Sequence, residues 1–209
     1  MRLIAVTLKN FRGYRDATEV AFDRLTTLIG RNDVGKSSVL EALEIFFNND
    51  TVKIDPSDCY VSDAGGTVEI TCAFGDLPGD FVLDAQAQTS LAREYLLDAD
   101  GLLRVKKTFR CTTAKPKEEV FVVANHPSAA GYSDLLEQNN AGLKKRLTDL
   151  NISADGVQQN SNPSIRRRIW ESCGDLQLTV RDVPVSKEDS KKIWERLSEL
   201  MPVYALFQS

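Results

Sequence analysis

The sequence predicts an α/β fold in which a short strand feeds a glycine-rich turn and then a buried helix. Three observations carry this. Residues 25–29 form a compact aliphatic and β-branched run that stops at Gly30. From Gly35 the spacing changes, and Val39, Leu40, Leu43, Phe46 and Phe47 recur at helical intervals with Ala42 and Ile45 between them. Further on, strand-like runs fill the middle of the chain, and period-3.6 apolar stripes fill the last third.

Each element follows from its own residues. Residues 3–8 alternate aliphatic and β-branched side chains and predict a strand, with a second at 18–22. Asn48-Asn49-Asp50 ends the first helix. Residues 67–74 predict a strand after the turn Asp63-Ala64-Gly65-Gly66. Residues 94–97 and 102–109 flank Asp98-Ala99-Asp100-Gly101 and read as a hairpin, with a further strand at 120–124. The expectation for this region is an antiparallel meander, with His126 in a loop after it. Leu136, Leu143, Leu147 and Leu150 lie on one helical face, interrupted near Ala141-Gly142. Residues 164–173 predict a short helix. Ser186-Lys187-Glu188-Asp189 predicts the start of another helix, carrying Ile193, Trp194, Leu197, Leu200 and Met201 and stopped by Pro202. A return strand is expected at 203–207. The domain reading is 1–50 strand-helix core, 51–127 β-rich lobe, 128–202 helical lobe and 203–209 return strand.

Length and composition narrow the function classes. With 209 residues, 42 % hydrophobic and 27 % charged, the chain is an ordinary globular one that can bury a core without disulfide or metal staples. Its net charge of −4 argues against a generally basic nucleic-acid binder and leaves only local basic patches. Cys59, Cys72, Cys111 and Cys173 are too scattered for a zinc ribbon or a redox pair and are expected to be reduced thiols. No apolar run is long enough to span a bilayer, and the charged Lys9 and Arg12 come too early for a signal peptide. The expected location is the cytoplasm, with no membrane partner.

The chemistry sits in Gly30-Arg31-Asn32-Asp33-Val34-Gly35-Lys36-Ser37, which fits G-x-x-x-x-G-K-[ST], the P-loop or Walker A pattern. Its glycines let backbone N–H groups turn inward on phosphate, and the following helix aims its unsatisfied N–H groups at the same anion. Lys36 is expected to reach the β- and γ-phosphates, and Ser37 to hold Mg2+, with Ser38 completing the loop. The chain contains no Asn-Lys-x-Asp guanine reader, which favours ATP over GTP.

The opening then resembles a known family. Leu8-Lys9-Asn10-Phe11-Arg12-Gly13-Tyr14, the strand at 18–22 and the P-loop running on to Leu43 look like the N-terminal half of an ABC-type ATPase head. The nearest group is that of RecF, the structural-maintenance-of-chromosomes proteins and the OLD ATP-dependent endonucleases. The ending from Met201 to Ser209 is similar to OLD-type chains, so the resemblance covers about 1–48 and 197–209. It implies a P-loop NTPase of α/β class, the N-terminal portion of a head with an antiparallel β lobe and a helical lobe. It implies Arg12 beside the nucleotide and Gln208 at the position of a Q-loop glutamine touching Mg2+. It also implies a second head as homodimer partner, a C-terminal half beyond this chain, and a DNA activity located elsewhere, in repair or phage defence.

The other parts of such a head do not stand out. A Walker B strand would be four apolar residues followed by Asp-Glu. The stretches ending at Asp84 and Asp98 have three apolar residues, and Ala follows each. No Leu-Ser-Gly-Gly-Gln-like signature occurs. This chain alone is therefore expected to bind ATP and hardly turn it over. Two further readings stay open: a self-contained P-loop small-molecule kinase, and a non-catalytic nucleotide-binding interaction module. Three basic clusters, Arg166-Arg167-Arg168, Lys144-Lys145-Arg146 and Arg104 with Lys106-Lys107, are either solvated helix and strand faces or backbone contacts to DNA.

Overall fold

A computed structural model describes residues 1–30, 35–47, 51–60, 66–77, 79, 81–84 and 87–207, without the side chains of 81–87. The chain forms two compact units. Unit 1 comprises 1–76, 104–121 and 201–209, and unit 2 comprises 77–103 and 122–200.

Unit 1 is a sheet with a helix on it. Strands β1 (Arg2–Lys9) and β2 (Thr18–Ala21) pair antiparallel, with Val6 opposite Val20. On its other edge β1 pairs antiparallel with β3 (Thr67–Gly75), Leu8 opposite Ile70, and a register shift between Leu3 and Ala5. The ladder continues through β6 (Leu103–Arg110) to the start of β7 (Lys117–Pro127). The alternation expected of β1 and β3 buries Val6, Leu8, Val68, Ile70 and Cys72. Helix α1 (Lys36–Phe46) packs on β1 and buries Val39, Ala42, Leu43, Ile45 and Phe46. Each large side chain among them contributes about 1.5–3 kcal/mol of burial. Phe46 meets Phe74 of β3 at 6.2 Å between centroids.

Unit 2 holds the short antiparallel pair β4 (Phe81–Asp84) and β5 (Ala87–Thr89), the end of β7 beside β8 (Leu178–Pro184), and three helices. The helices are α2 (Asn140–Asp149), α3 (Asn162–Glu171) and α4 (Glu188–Glu199). Leu143 and Leu147 of α2 meet Ile165, Ile169 and Trp170 of α3 in one apolar cluster with Leu135. Among the described residues, no helix is long and apolar enough to cross a membrane. All four cysteines are free.

Four expectations are corrected. Residues 25–29 form no strand, and Leu25 and Ile29 stand 88 % and 90 % exposed. An apolar run becomes a strand only when a neighbour accepts its backbone hydrogen bonds, and no described strand lies against it. Residues 203–207 likewise run without a ladder, Val203 and Phe207 being 99 % and 93 % exposed. Residues 94–97 form a turn instead of a hairpin arm, because Leu96 N–H closes back on the Leu91 carbonyl and Tyr95 takes φ 53°. His126 is not in a loop: β7 extends through Pro127 and buries it.

Candidate nucleotide-binding site

The site lies in unit 1, where the start of α1 meets the turn after β1. Gly35 is the N-cap of α1 and takes φ 85°, in the left-handed region that favours glycine. Among the described residues no side chain caps this helix start and no acidic residue occupies its first turn, while Lys36 stands at the first helical position. Helix N-termini are ordinarily furnished with an Asp, Ser or Thr cap and acidic neighbours, because their N–H groups and dipole carry positive charge. A lysine in that place adds its charge to the positive end of the helix, an arrangement suited to an anion. Lys36 reaches back to donate to the Gly30 carbonyl at 2.6 Å, closing the ends of the loop. Ser37 is exposed and Ser38 half-buried on the same first turn. Arg31, Asn32, Asp33 and Val34 fall outside the described residues, as does Gln208.

The turn from Asn10 to Tyr14 is built to face this helix. Phe11 and Tyr14 exchange backbone hydrogen bonds of 2.9 and 2.8 Å around Arg12 and Gly13, with Phe11 fully buried as the anchor. Asn10 and Arg12 both take positive φ, 54° and 51°, which costs a non-glycine residue about 1–2 kcal/mol each. Their contacts hold them there. Asn10 donates its amide to the Thr67 carbonyl at 3.1 Å and accepts from Tyr60 N–H at 3.2 Å. Arg12 donates its backbone N–H to the Asp58 carbonyl at 2.6 Å and its Nε to the Asp58 carboxylate at 2.8 Å. Its terminal nitrogen pairs with Glu41 of α1, and the guanidinium lies 5.0 Å over the Phe11 ring. Burial works against this charge, but Asp58 and Glu41 outweigh it and raise the Arg12 pKa above the ordinary guanidinium value.

Two residues that received no role from the sequence complete the surroundings. Tyr14 donates its hydroxyl to the Gly35 carbonyl at 3.2 Å, and a Cβ on Gly35 would meet the tyrosine ring at 2.9–3.1 Å. Tyr204 donates to the Leu40 carbonyl at 2.8 Å and stacks on Phe47 at 5.7 Å. Burial and the Glu44 carboxylate push its phenol up to about 12, so it stays a donor. Neither residue was marked by spacing, since Tyr14 is 21 and Tyr204 164 residues from its partner.

A family model described as an AAA ATPase domain matches residues 1–209. The chain belongs to the AAA ATPase domain family. It is a nucleotide-binding ATPase domain of α/β class, the class that the sequence predicted, although the strand expected at 25–29 is not formed. A search of curated proteins finds no match to this sequence.

Elsewhere on the ATPase domain most side chains of the basic clusters are paired within the chain. Arg166 is 0 % exposed and cannot face a partner molecule. Arg167 pairs with Glu171, Lys145 with Asp149, Arg146 with Asp134 and Arg104 with Glu19. Lys107 is buried beside Glu118, with its ammonium 5.5 Å over the Phe46 ring. Burial lowers its pKa against the pull of Glu118. Asp98 accepts from the backbone of Asp100 and Leu102 at 2.9 and 2.8 Å, a turn-closing role. Among the described residues, no three His, Cys, Asp or Glu side chains cluster as a metal cage.

Proposed function

We propose that the loop from Gly30 to Ser38 binds ATP with Mg2+. The observation that carries this reading is the start of α1: left-handed Gly35, no cap, no acidic first-turn residue, and Lys36 at the first helical position. The donor set fits a triphosphate. The α1 N–H groups and Lys36 take the phosphate oxygens, with Lys36 exchanging its bond to the Gly30 carbonyl for one to phosphate. Ser37, exposed at the rim, supplies a hydroxyl to the metal. Bound Mg2+ would neutralise charge on the phosphate oxygens. Arg31, Asn32, Asp33 and Val34 are the remaining residues of the proposed phosphate-binding loop.

Arg12 and Gln208 keep the roles that the resemblance implies, beside the nucleotide and at the metal. For Arg12 this means shifting part of its guanidinium from Glu41 to the ligand, while Asp58 retains Nε. The wider reading is an ABC-type head of the OLD and RecF group, in which bound ATP controls pairing with a second head and a DNA activity carried elsewhere in the protein. Titration calorimetry with ATP-Mg2+ tests the site, and Lys36→Ala is expected to abolish the heat. Sedimentation with and without ATP-Mg2+ tests head pairing, and an unchanged sedimentation coefficient contradicts it.

A further inference from the structure

Unit 2 carries a cavity of about 280 Å3 at the first turn of α3, apart from the nucleotide loop. Ser161, the N-cap of α3, lines it and is only 4 % exposed. Its hydroxyl makes no cap bond and has no hydrogen-bond partner among the described residues. Ser164 lines the same cavity and accepts from Gln158 N–H at 3.2 Å, which leaves its own proton to donate. Pro163 has no N–H, so the helix start presents those of Asn162 and Ser164.

Arg93 and Arg167 both line the cavity, and both also line an adjoining hollow of about 350 Å3 beside Tyr95 and Trp170. Arg167 gives Nε to Glu171 at 2.7 Å, an exposed pair worth little in water. Glu94 lines the cavity too, but its charge is already compensated. Arg166 donates to both its oxygens at 2.8 and 2.9 Å, and Thr89 donates at 2.7 Å. Asp189 on the far side of Arg166 is matched by Lys192 at 3.1 Å.

We infer that this cavity binds a phosphate group, as inorganic phosphate or as a small phosphate monoester. Arg167, two hydroxyls and a helix N-terminus line it, a donor set that suits a dianion better than a carboxylate. The volume leaves room for a substituent on the phosphate.

The test is a titration of the 15N-labelled full chain with phosphate, and separately with glycerol 3-phosphate, at constant ionic strength. The amides of Asn162 and Ser164 report this cavity, and those of Gly35 to Ser38 report the nucleotide loop, so the two sites succeed or fail separately. Saturable shifts of the α3 amides are expected. Arg167→Gln should raise the dissociation constant about tenfold or more and Ser161→Ala about threefold to tenfold. Arg168→Gln, on the same helix but away from the cavity, should leave it unchanged. Tighter binding of glycerol 3-phosphate assigns the site to a monoester, and tighter binding of phosphate to the free anion. The inference is overturned if the α3 amides do not shift by about 10 mM ligand, an affinity too weak to matter. It is also overturned if Arg167→Gln and Ser161→Ala bind like the parent, or if Arg168→Gln weakens binding as much as Arg167→Gln.

Discussion

The Tyr14 hydroxyl donates to the carbonyl of Gly35, and its ring fills the space that a side chain at Gly35 would need. The left-handed geometry of Gly35 is thus enforced twice in this chain, by its own φ of 85° and by a residue from the turn after β1.

Gly35→Ala should therefore be costly for two separable reasons. The left-handed backbone contributes about 1–2 kcal/mol, and the clash with Tyr14 about 1–3 kcal/mol more. Chemical denaturation of Gly35→Ala, alone and combined with Tyr14→Ala, separates them. Removing the ring should recover the packing part and leave the backbone part. Equal stability of Gly35→Ala and the parent would contradict the geometry.

Arg12→Ala should destabilise the ligand-free protein by about 1–2 kcal/mol. It strips the part-buried Asp58 of its charged partner and removes the contacts that hold Arg12 at positive φ. The figure stays well below that of a deep pair because Arg12 is partly solvated. Arg12→Lys should recover little, since an ammonium cannot bridge two carboxylates as a planar fork does. Urea midpoints check this, and a loss confined to nucleotide affinity would return Arg12 to a role in binding alone.

Arg166→Ala should cost about 3–5 kcal/mol, because it leaves Glu94 and Asp189 buried without their shared cation. Arg166→Met, which keeps volume but not charge, should not rescue while both acids remain. A change within about 0.5 kcal/mol, the range of surface substitutions, would place Arg166 back on the surface.

How much of this was legible follows from where each partner sits. The glycine-lysine motif and α1 are local, and their glycines, lysine and apolar spacing lie within 17 residues of one another. The strands β1, β3 and β6 announced themselves by alternation, which needs no knowledge of neighbours. Residues 25–29 and 203–207 failed as strands because a ladder depends on what lies alongside. Arg166 looked like one member of a surface triplet, yet its partners are 72 and 23 residues away. Residues 178–184 were passed over because their side chains are mostly exposed, which leaves no clear apolar alternation to read.

Stability should depend on pH near neutrality through His126, the only histidine of the chain. Burial lowers its pKa below the ordinary value, against a bond between Nδ1 and the Tyr95 carbonyl at 2.9 Å. The unfolded chain then binds a proton that the folded one resists. Stability is full above the unfolded pKa of about 6.5 and falls as pH drops from there toward the folded value. Unfolding free energies between about pH 5.5 and 7.5 should slope accordingly, and His126→Gln should flatten the slope. A parent profile that is level across that window would refute a buried neutral imidazole.

The most direct test of the nucleotide site is the melting temperature of the full chain with and without ATP-Mg2+, set beside Lys36→Ala. Ligand at about a hundred times its dissociation constant stabilises the fold by about 2.7 kcal/mol, which for a chain of this size shifts the midpoint by about 5–10 °C. The account predicts that shift in the parent, a smaller one with GTP, and none in Lys36→Ala. An unshifted parent, or an equal shift in Lys36→Ala, would contradict it.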